Sequence, residues 1–171
     1  MVKKQILKII TAGDGGVGKT TLLRRYVEGL FYSGTQLTVG VEFFTKEIIL
    51  NNLICALQLW DFGGQERFRF MLDSYTIGAK GAILMFDLTR MSTLNSLKEW
   101  VGIMRKYNTN LPILFVGTKN DLIEKISVED SYILEMKDKY NFFDYIKISS
   151  KTGENVDAIF TIITNKLIGT N

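Results

Sequence analysis

The sequence predicts a doubly wound α/β domain, in which helices cover both faces of a mostly parallel β-sheet. Strand-like stretches alternate with helical patterns along the whole chain, which is typical of this fold class. Two strands, at 82–86 and 113–116, are continuous apolar runs, as expected of strands covered on both faces. A glycine-rich turn follows the first strand, at the sheet edge where such domains bind ligands.

We expect a six-stranded sheet with about five helices. The predicted strands are 5–11, 41–50, 53–61, 81–88, 112–117 and 145–148. Helical spacing of apolar residues predicts helices at 19 to about 30, 92 to about 106, 128–140 and 156–168. Ser92 is the expected N-cap of the second of these helices. Asn51 and Asn52 form a tight hairpin link, so one strand is expected to be antiparallel.

Length and composition limit the chemistry. The length of 171 residues favours one domain, 1–171, with a full core. The net charge is only +3 and basic residues are scattered among acids, so we expect no nucleic-acid partner. The chain has no histidine and one cysteine, Cys55, which excludes histidine-based catalysis, thiol chemistry and most transition-metal sites. Catalysis must then depend on carboxylates, Lys, Arg, Gln, Thr, backbone dipoles and a hard cation such as Mg²⁺.

The sequence shows no sign of a membrane anchor. It contains no run of about 18 apolar residues, its N-terminus lacks an apolar signal region, and Val2 stands where myristoylation requires glycine. The chain ends at Ile168-Gly169-Thr170-Asn171 without a cysteine for prenylation. We therefore expect a cytoplasmic monomer that meets membranes only through a partner or through a lipidated tail that has been trimmed.

The segment from Gly13 to Thr20 reads G-D-G-G-V-G-K-T, and it fits the phosphate-binding pattern G-x-x-x-x-G-K-[ST] at every fixed position. Its glycines allow backbone N–H groups to turn around an anion, and the following helix N-terminus adds partial positive charge. Lys19 can reach the β- and γ-phosphates, and the Thr20 hydroxyl can bind Mg²⁺. The predicted phosphate-binding residues are Asp14, Gly15, Gly16, Val17, Gly18, Lys19, Thr20 and Thr21.

Two later motifs indicate which base is bound. Thr118-Lys119-Asn120-Asp121 follows a buried strand, and the Asp121 carboxylate can accept hydrogen bonds from N1–H and the 2-amino group of guanine. Adenine lacks both donors, so a buried carboxylate would stay unpaired. The Lys119 stem can lie over the base while its ammonium bonds the phosphate loop. Ser149-Ser150-Lys151 ends the last strand, where backbone N–H groups can meet guanine O6.

A third motif, Trp60-Asp61-Phe62-Gly63-Gly64-Gln65, ends the third predicted strand. Asp61 can hold a Mg²⁺-bound water, the Gly64 N–H can bond a γ-phosphate, and Gln65 can orient the attacking water. The letters D-F-G also occur in protein kinases. That interpretation fails, because the kinase H-R-D loop requires a histidine that the chain lacks.

Together these residues resemble a Ras-superfamily small GTPase, most similar to the Rab group, and the similarity covers essentially the whole chain. Thr38-Val39-Gly40-Val41-Glu42-Phe43 resembles the Rab switch I signature, and the segment 57–61 resembles the approach to switch II. The segments 65–69 and 78–82 continue the match. The resemblance implies a doubly wound P-loop G domain, with switch I around 32–44 and switch II around 61–77.

The resemblance also implies roles for single residues. Phe31 would lie edge-on to guanine, and Thr38 would bind Mg²⁺ only in the GTP state. Gln65, Lys19 and Thr38 would serve slow hydrolysis of GTP to GDP. No internal arginine finger is expected, because Arg24 and Arg25 lie in the first helix and Arg67 and Arg69 lie beyond Gln65. An activating protein, an exchange factor and effectors are the implied protein partners.

Three aromatic residues, Phe43, Trp60 and Tyr75, match the triad by which Rab proteins present a nucleotide-sensitive surface to effectors. The alternative is that these rings serve only hairpin and helix packing. Trp60 fluorescence is expected to report on the switches, with Trp100 as a more distant background.

Several positions depart from the family pattern. Thr118 replaces the usual Asn and Ser150 the usual Ala, without loss of the guanine-binding groups. Gly63 gives switch II a double glycine similar to that of Arf and Gα proteins, and it is expected to loosen the switch. Thr35 stands where Ras carries a nucleotide-covering tyrosine, which leaves the γ-phosphate less shielded.

Two other classes of protein stay open at this point. A nucleotide-dependent binding module with vestigial hydrolysis is disfavoured by Gln65, Thr38 and Asp61. A P-loop kinase of small molecules would need a lid and an acceptor site, and the two base motifs favour guanine binding instead.

Overall fold

The computed structural model describes residues 4–34 and 36–169. The expectations placed on Val2, Thr35, Thr170 and Asn171 lie outside the described residues. The strands are β1 (Lys4–Ala12), β2 (Val41–Leu50), β3 (Leu53–Phe62), β4 (Gly81–Asp87), β5 (Ile113–Thr118) and β6 (Asp144–Lys147). The six strands form one sheet in the order β2-β3-β1-β4-β5-β6. This confirms the predicted fold class.

The single antiparallel pair is the hairpin of β2 and β3, and the other strand pairs are parallel. Its turn is formed by Asn51 and Asn52, with φ of 50° and 60°. Asparagine tolerates this left-handed backbone, and two such residues give the turn type that matches the twist of a hairpin. The hairpin places switch I, which continues into the start of β2, beside the end of β3.

The α-helices are α1 (Lys19–Glu28), α2 (Leu97–Met104), α3 (Asp130–Lys139) and α4 (Val156–Ile168). Short 3₁₀ helices occur at Glu66–Met71, Asp73–Thr76, Met91–Leu94 and Ile123–Lys125, and the first two make switch II a fifth helical segment. Within 4–34 and 36–169, no helix is both long and apolar enough to cross a membrane.

The second predicted helix begins later than the sequence indicated. Ser92 lies inside the 3₁₀ turn and is not an N-cap, because α2 starts only at Leu97. The cause is Thr93, whose hydroxyl accepts from the Asp87 N–H at 3.0 Å and donates to the Arg90 carbonyl at 2.7 Å. These bonds tie the turn to the end of β4.

Helices cover both faces of the sheet. On one face, α2 and α3 pack through residues such as Trp100 and Ile133 against Leu84 and Phe86. On the other face, α1 and α4 pack through Leu22 and Phe160, among others, against the alternate residues of the same strands. Because neighbouring strand residues point to opposite faces, the apolar runs of β4 and β5 contribute to both cores.

Candidate nucleotide-binding site

The phosphate loop connects the end of β1 to α1. Gly16 and Gly18 have φ of 73° and 102°, a left-handed backbone that glycine adopts readily. These turns wrap the loop around Lys19, whose ammonium donates to the Gly13 carbonyl at 2.7 Å and to the Asp14 carbonyl at 2.8 Å. Burial lowers the pKa of Lys19 to about 8. An anion in the loop would hold this buried ammonium protonated.

Two adjoining cavities follow the phosphate loop. The smaller, about 40 Å³, is lined by the predicted residues Gly15, Gly16, Gly18, Lys19, Thr20, Thr21, Thr38 and Gly64. The larger, about 400 Å³, is lined by the predicted residues Gly16, Val17, Gly18, Thr21, Phe31, Thr118, Lys119, Asp121, Ser150 and Lys151. Gly16, Gly18 and Thr21 line both cavities, so the two form one trough. The phosphate motif therefore lies at one end of the trough, and the two base motifs lie at the other end.

Asp121 lines the larger cavity, and its carboxylate is held in one orientation by the buried Ser149. Its Oδ1 accepts a hydrogen bond from the Ser149 hydroxyl at 2.7 Å. Ser149 is fully buried and its hydroxyl oxygen also accepts from the Thr152 N–H at 3.1 Å. Ser149 thus supports the carboxylate, whereas Ser150 and Lys151 line the cavity.

Thr118 joins the base motif to the phosphate loop. Its hydroxyl oxygen lies 2.7 Å from the Val17 carbonyl and 3.0 Å from the Phe86 carbonyl. One hydroxyl proton can serve only one of these acceptors at a time. The threonine therefore supplies the link across the loop that an amide at this position would make.

The Lys119 ammonium does not have the partner that the sequence suggested. Its Nζ lies 2.6 Å from Asp87 Oδ2, instead of bonding the phosphate loop. Asp87 is fully buried at the end of β4. Burial alone would raise its pKa, but hydrogen bonds from Lys119, Thr89 and Arg90 hold the pKa of this carboxyl below its usual value. The buried carboxylate thus draws the ammonium away from the loop.

Three oxygens from separate segments converge beside the phosphate loop. Thr20 Oγ1 lies 2.6 Å from Thr38 Oγ1 and donates to Asp61 Oδ2. Asp61 Oδ1 is buried and has no hydrogen-bond partner within residues 4–34 and 36–169. Burial raises the pKa of Asp61 to about 6, although the Thr20 hydrogen bond and the Lys19 charge oppose this. Hydroxyl and carboxylate oxygens are ligands that Mg²⁺ prefers, so this set fits the cation.

Gly64 and Gln65 follow Asp61 at the mouth of the smaller cavity. A Cβ on Gly64 would lie 2.5 Å from the Asp14 carbonyl carbon and 2.7 Å from its oxygen, so at Gly64 the backbone of switch II packs directly on the backbone of the phosphate loop. The Gln65 carboxamide is bound by a neighbour, since its Oε1 accepts from Arg67 Nε at 2.9 Å. The water-positioning role of Gln65 stays a prediction, and in this structure its carboxamide oxygen is engaged by Arg67.

Gly63 packs against the backbone of switch I, in the space that a Cβ would occupy. A Cβ there would lie 2.6 Å from the Thr38 carbonyl oxygen and 2.9 Å from the Gly40 carbonyl oxygen. The Gly63 N–H also donates to the Gly40 carbonyl at 2.7 Å. Gly63 therefore permits a close contact between the two switches, and the looser switch II expected from the sequence stays a prediction.

The predicted aromatic triad is assembled. The rings of Phe43 and Trp60 have centroids 5.3 Å apart in an edge-to-face arrangement, and those of Trp60 and Tyr75 are 6.0 Å apart. Phe43 and Tyr75 are 49% and 40% exposed, so the packed rings still present a surface. The three rings therefore pack on one another, and two of them are also accessible to a partner protein.

Several residues beside the site were not found from the sequence. Arg69 forms an ion pair with Asp14 of the phosphate loop at 2.8 Å. Trp100 Nε1 donates to the same carboxylate at 2.9 Å, so Trp100, expected only as a more distant fluorescence background, contacts the phosphate loop. Arg90 bonds Asp87 and also lies 3.3 Å from the Gly15 carbonyl. Only the unusual charge of Asp14 in a glycine-rich loop could have indicated such partners.

The fold, the phosphate loop and the base motifs define a small GTP-binding protein. The profile of the Ras family matches residues 8–169, and the chain therefore belongs to this family. It is 35% identical to Ras-related protein Rab-19 of Rattus norvegicus over 167 residues, which cover 97% of this chain and 77% of that protein. It is 37% identical to Ras-related protein Rab-30 of Homo sapiens over 164 residues, covering 95% of this chain and 80% of that protein.

These comparisons confirm the resemblance read from the motifs. The protein is a Rab-like small GTPase, a GTP hydrolase with the nucleotide-dependent switch role of its family. The alternative of a small-molecule kinase loses its support.

Proposed function

We propose that the protein is a guanine-specific, Mg²⁺-dependent switch whose nucleotide lies along the phosphate loop. The base contacts Asp121 at one end of the trough, and the γ-phosphate lies near Gly64 at the other. The observation that supports this most strongly is the convergence of Thr20, Thr38 and Asp61 on one point, since it joins the phosphate loop to both switches.

In the proposed reaction, water attacks the γ-phosphate in line with the departing GDP. Gln65 orients this water after leaving Arg67, and Lys19 with the loop N–H groups stabilises charge on the β–γ oxygens. Thr20 and Thr38, and Asp61 through a water, would hold Mg²⁺, which would supply compensation of the same charge. Since no internal arginine finger is expected, unassisted hydrolysis should run at about 10⁻⁴ to 10⁻³ s⁻¹, and an activating protein should accelerate it up to about 10⁵-fold.

Gln65→Leu tests this function. The variant keeps the nucleotide contacts but loses the carboxamide, so we expect single-turnover GTP hydrolysis to fall at least about tenfold with little change in GTP affinity. Gln58→Leu, the same change on β3 away from the trough, is the control and hydrolyses normally. Equal hydrolysis by wild type and Gln65→Leu would exclude Gln65 as the water-positioning residue. A wild type that binds no GTP overturns the proposed function itself.

Removing a metal ligand should weaken GTP more than GDP, since the γ-phosphate depends more on Mg²⁺. We expect Thr20→Asn to reduce GTP affinity about 10- to 100-fold, measured by displacement of a fluorescent nucleotide. Thr161→Asn, at an exposed position of α4, is the matched control. A chelator should also accelerate GDP release from the wild type, and an unchanged release rate would contradict the assignment of Thr20.

The switches provide the output of this cycle. Thr38 and Gly64 close on the γ-phosphate and relax after hydrolysis, and effectors recognise the change at Phe43, Trp60 and Tyr75. An exchange factor and an activating protein reset the state. A cytoplasmic location agrees with the single buried Cys55, which favours a reducing compartment.

A further inference from the structure

The carboxylate of Asp14 is committed to partners outside the phosphate trough. Its Oδ1 accepts from Arg69 Nη2 at 2.8 Å and from Trp100 Nε1 at 2.9 Å. Its Oδ2 accepts from the Ser96 hydroxyl at 3.1 Å. Only the backbone of Asp14 is then left to face the nucleotide. The side chain links the phosphate loop to switch II and to the start of α2.

Arg69 is the central member of this network. It is only 7% exposed, forms an ion pair with Glu99 of α2 as well as with Asp14, and stacks on the Trp100 ring at 4.6 Å. A planar guanidinium held by two carboxylates and an aromatic face has one allowed orientation. The position of Arg69 is thus determined by the phosphate loop and α2 together.

The same guanidinium reaches the catalytic segment. Arg69 Nη2, which bonds Asp14, also lies 3.4 Å from the Gly64 carbonyl oxygen. This carbonyl belongs to the peptide that joins Gly64 to Gln65. One nitrogen therefore connects the phosphate loop to the residue proposed to orient water. Arg69 contacts this peptide at its carbonyl oxygen and does not line either cavity of the trough.

A purely stabilising role leaves part of this geometry unexplained. Arg69 Nε is buried and has no hydrogen-bond partner in the described part of the chain. Buried ion pairs are often no better for stability than apolar packing, and an unsatisfied N–H makes the balance worse. The arrangement favours defined geometry of switch II over maximal stability.

We propose that Arg69 is a positioning residue for GTP hydrolysis: it holds the Gly64–Gln65 peptide against the phosphate loop and transmits the nucleotide state through Asp14 to Trp100 and α2. This rests on the proposed function, because it concerns the closure of switch II on the γ-phosphate. It assigns to Arg69 and Asp14 a role that the motifs do not contain.

Arg69→Ala should lower single-turnover GTP hydrolysis at least about tenfold, since displacement of a catalytic group by about 1 Å can cost about 100-fold. GDP affinity should stay near the wild-type value, because no nucleotide contact is removed. Arg69→Lys should recover part of the rate, as an ammonium can reach one of the two carboxylates. Lys106→Ala is the matched control, since it removes an exposed ion pair between the chain after α2 and Asp73 of switch II.

Two further measurements separate positioning from folding. Glu99→Gln leaves the Asp14 contact intact and should give a smaller loss of hydrolysis in the same direction. Trp100 emission, recorded in a Trp60→Phe background, should differ between GDP and a non-hydrolysable GTP analogue, and Arg69→Ala should abolish that difference. Hydrogen exchange of residues 62–69 with the analogue bound should rise in Arg69→Ala but not in Lys106→Ala.

The outcomes distinguish this inference from the function on which it rests. If wild type hydrolyses GTP and Arg69→Ala does so at the same rate with the same Trp100 response, Arg69 is not a positioning residue and the proposed function stands. A lower melting temperature with unchanged hydrolysis overturns the inference in the same way. If wild type neither binds nor hydrolyses GTP, both fail together.

Discussion

Asp121→Asn is expected to reduce the preference for GTP over ATP by about 10²- to 10⁴-fold. In the proposed complex the wild-type carboxylate accepts two hydrogen bonds from guanine. Each hydrogen bond to a charged group contributes ~1.5–3 kcal/mol, and ~1.4 kcal/mol corresponds to a tenfold change in affinity. The Ser149 hydroxyl holds Oδ1 of this carboxylate at 2.7 Å, so the side chain is oriented before the base arrives. Competition of GTP and ATP against a fluorescent guanine nucleotide measures the effect.

Xanthine nucleotides test the same contact through a gain of binding. Xanthine carries a carbonyl where guanine has the 2-amino group, and the amide introduced by Asp121→Asn can donate to it, so XTP should bind the variant better than GTP does. Asp138→Asn, on an exposed part of α3, is the matched control and keeps the wild-type preference. An unchanged GTP preference in Asp121→Asn would mean that the base is read elsewhere in the trough.

The sequence predicts those parts of the site whose functional groups lie at fixed spacings along the chain. The phosphate loop needs its glycines, Lys19 and Thr20 at fixed spacing, because consecutive N–H groups and the helix N-terminus bind one anion. Asp61 and Asp121 stand at the carboxyl ends of strands, which converge at one edge of a parallel sheet. Alternation of apolar runs with helical patterns then suffices to bring these motifs together.

The contacts that sequence could not predict join residues with no regular spacing. Arg69 and Trp100 reach Asp14 across 55 and 86 positions of the chain, and the position of Asp87 relative to Lys119 depends on neighbouring strands. The packing of Gly63 on switch I could not be predicted either. The need for a glycine there depends on which backbone lies beside it, and the sequence alone does not show that neighbour. Such contacts need the assembled backbone.

The prediction of local structure was wrong at one helix start, where a side-chain hydrogen bond competed with helix formation. The segment after β4 has helical spacing from Ser92 onward, yet Thr93 bonds the strand end and delays α2 to Leu97. Hydroxyl side chains offer the backbone alternative hydrogen bonds in this way. The delay matters for the site, since it leaves Ser96 and Trp100 placed to bond Asp14.

Gly64→Ala is expected to reduce GTP hydrolysis at least about 100-fold while leaving GDP binding nearly unchanged. The added Cβ would meet the backbone of Asp14 at 2.5–2.7 Å, and backbone atoms of the phosphate loop cannot move aside as a side chain could. Switch II must therefore retreat, which carries the Gly64 N–H and Gln65 away from the γ-phosphate. Bound GDP has no γ-phosphate and does not require that approach.

Gly102→Ala makes the comparison specific to position. A Cβ on this glycine of α2 meets nothing within 4 Å, and Ala in a helix is favoured over Gly by ~0.5–1 kcal/mol, so this variant should be slightly more stable and fully active. Single-turnover hydrolysis and hydrogen exchange of residues 61–69 with a GTP analogue would be compared for both variants. Normal hydrolysis and protection in Gly64→Ala would mean that the backbone contact between switch II and Asp14 is not needed for catalysis. The same result would remove the physical basis for a γ-phosphate-driven closure of switch II, because that closure requires Gly64 to lie against the loop.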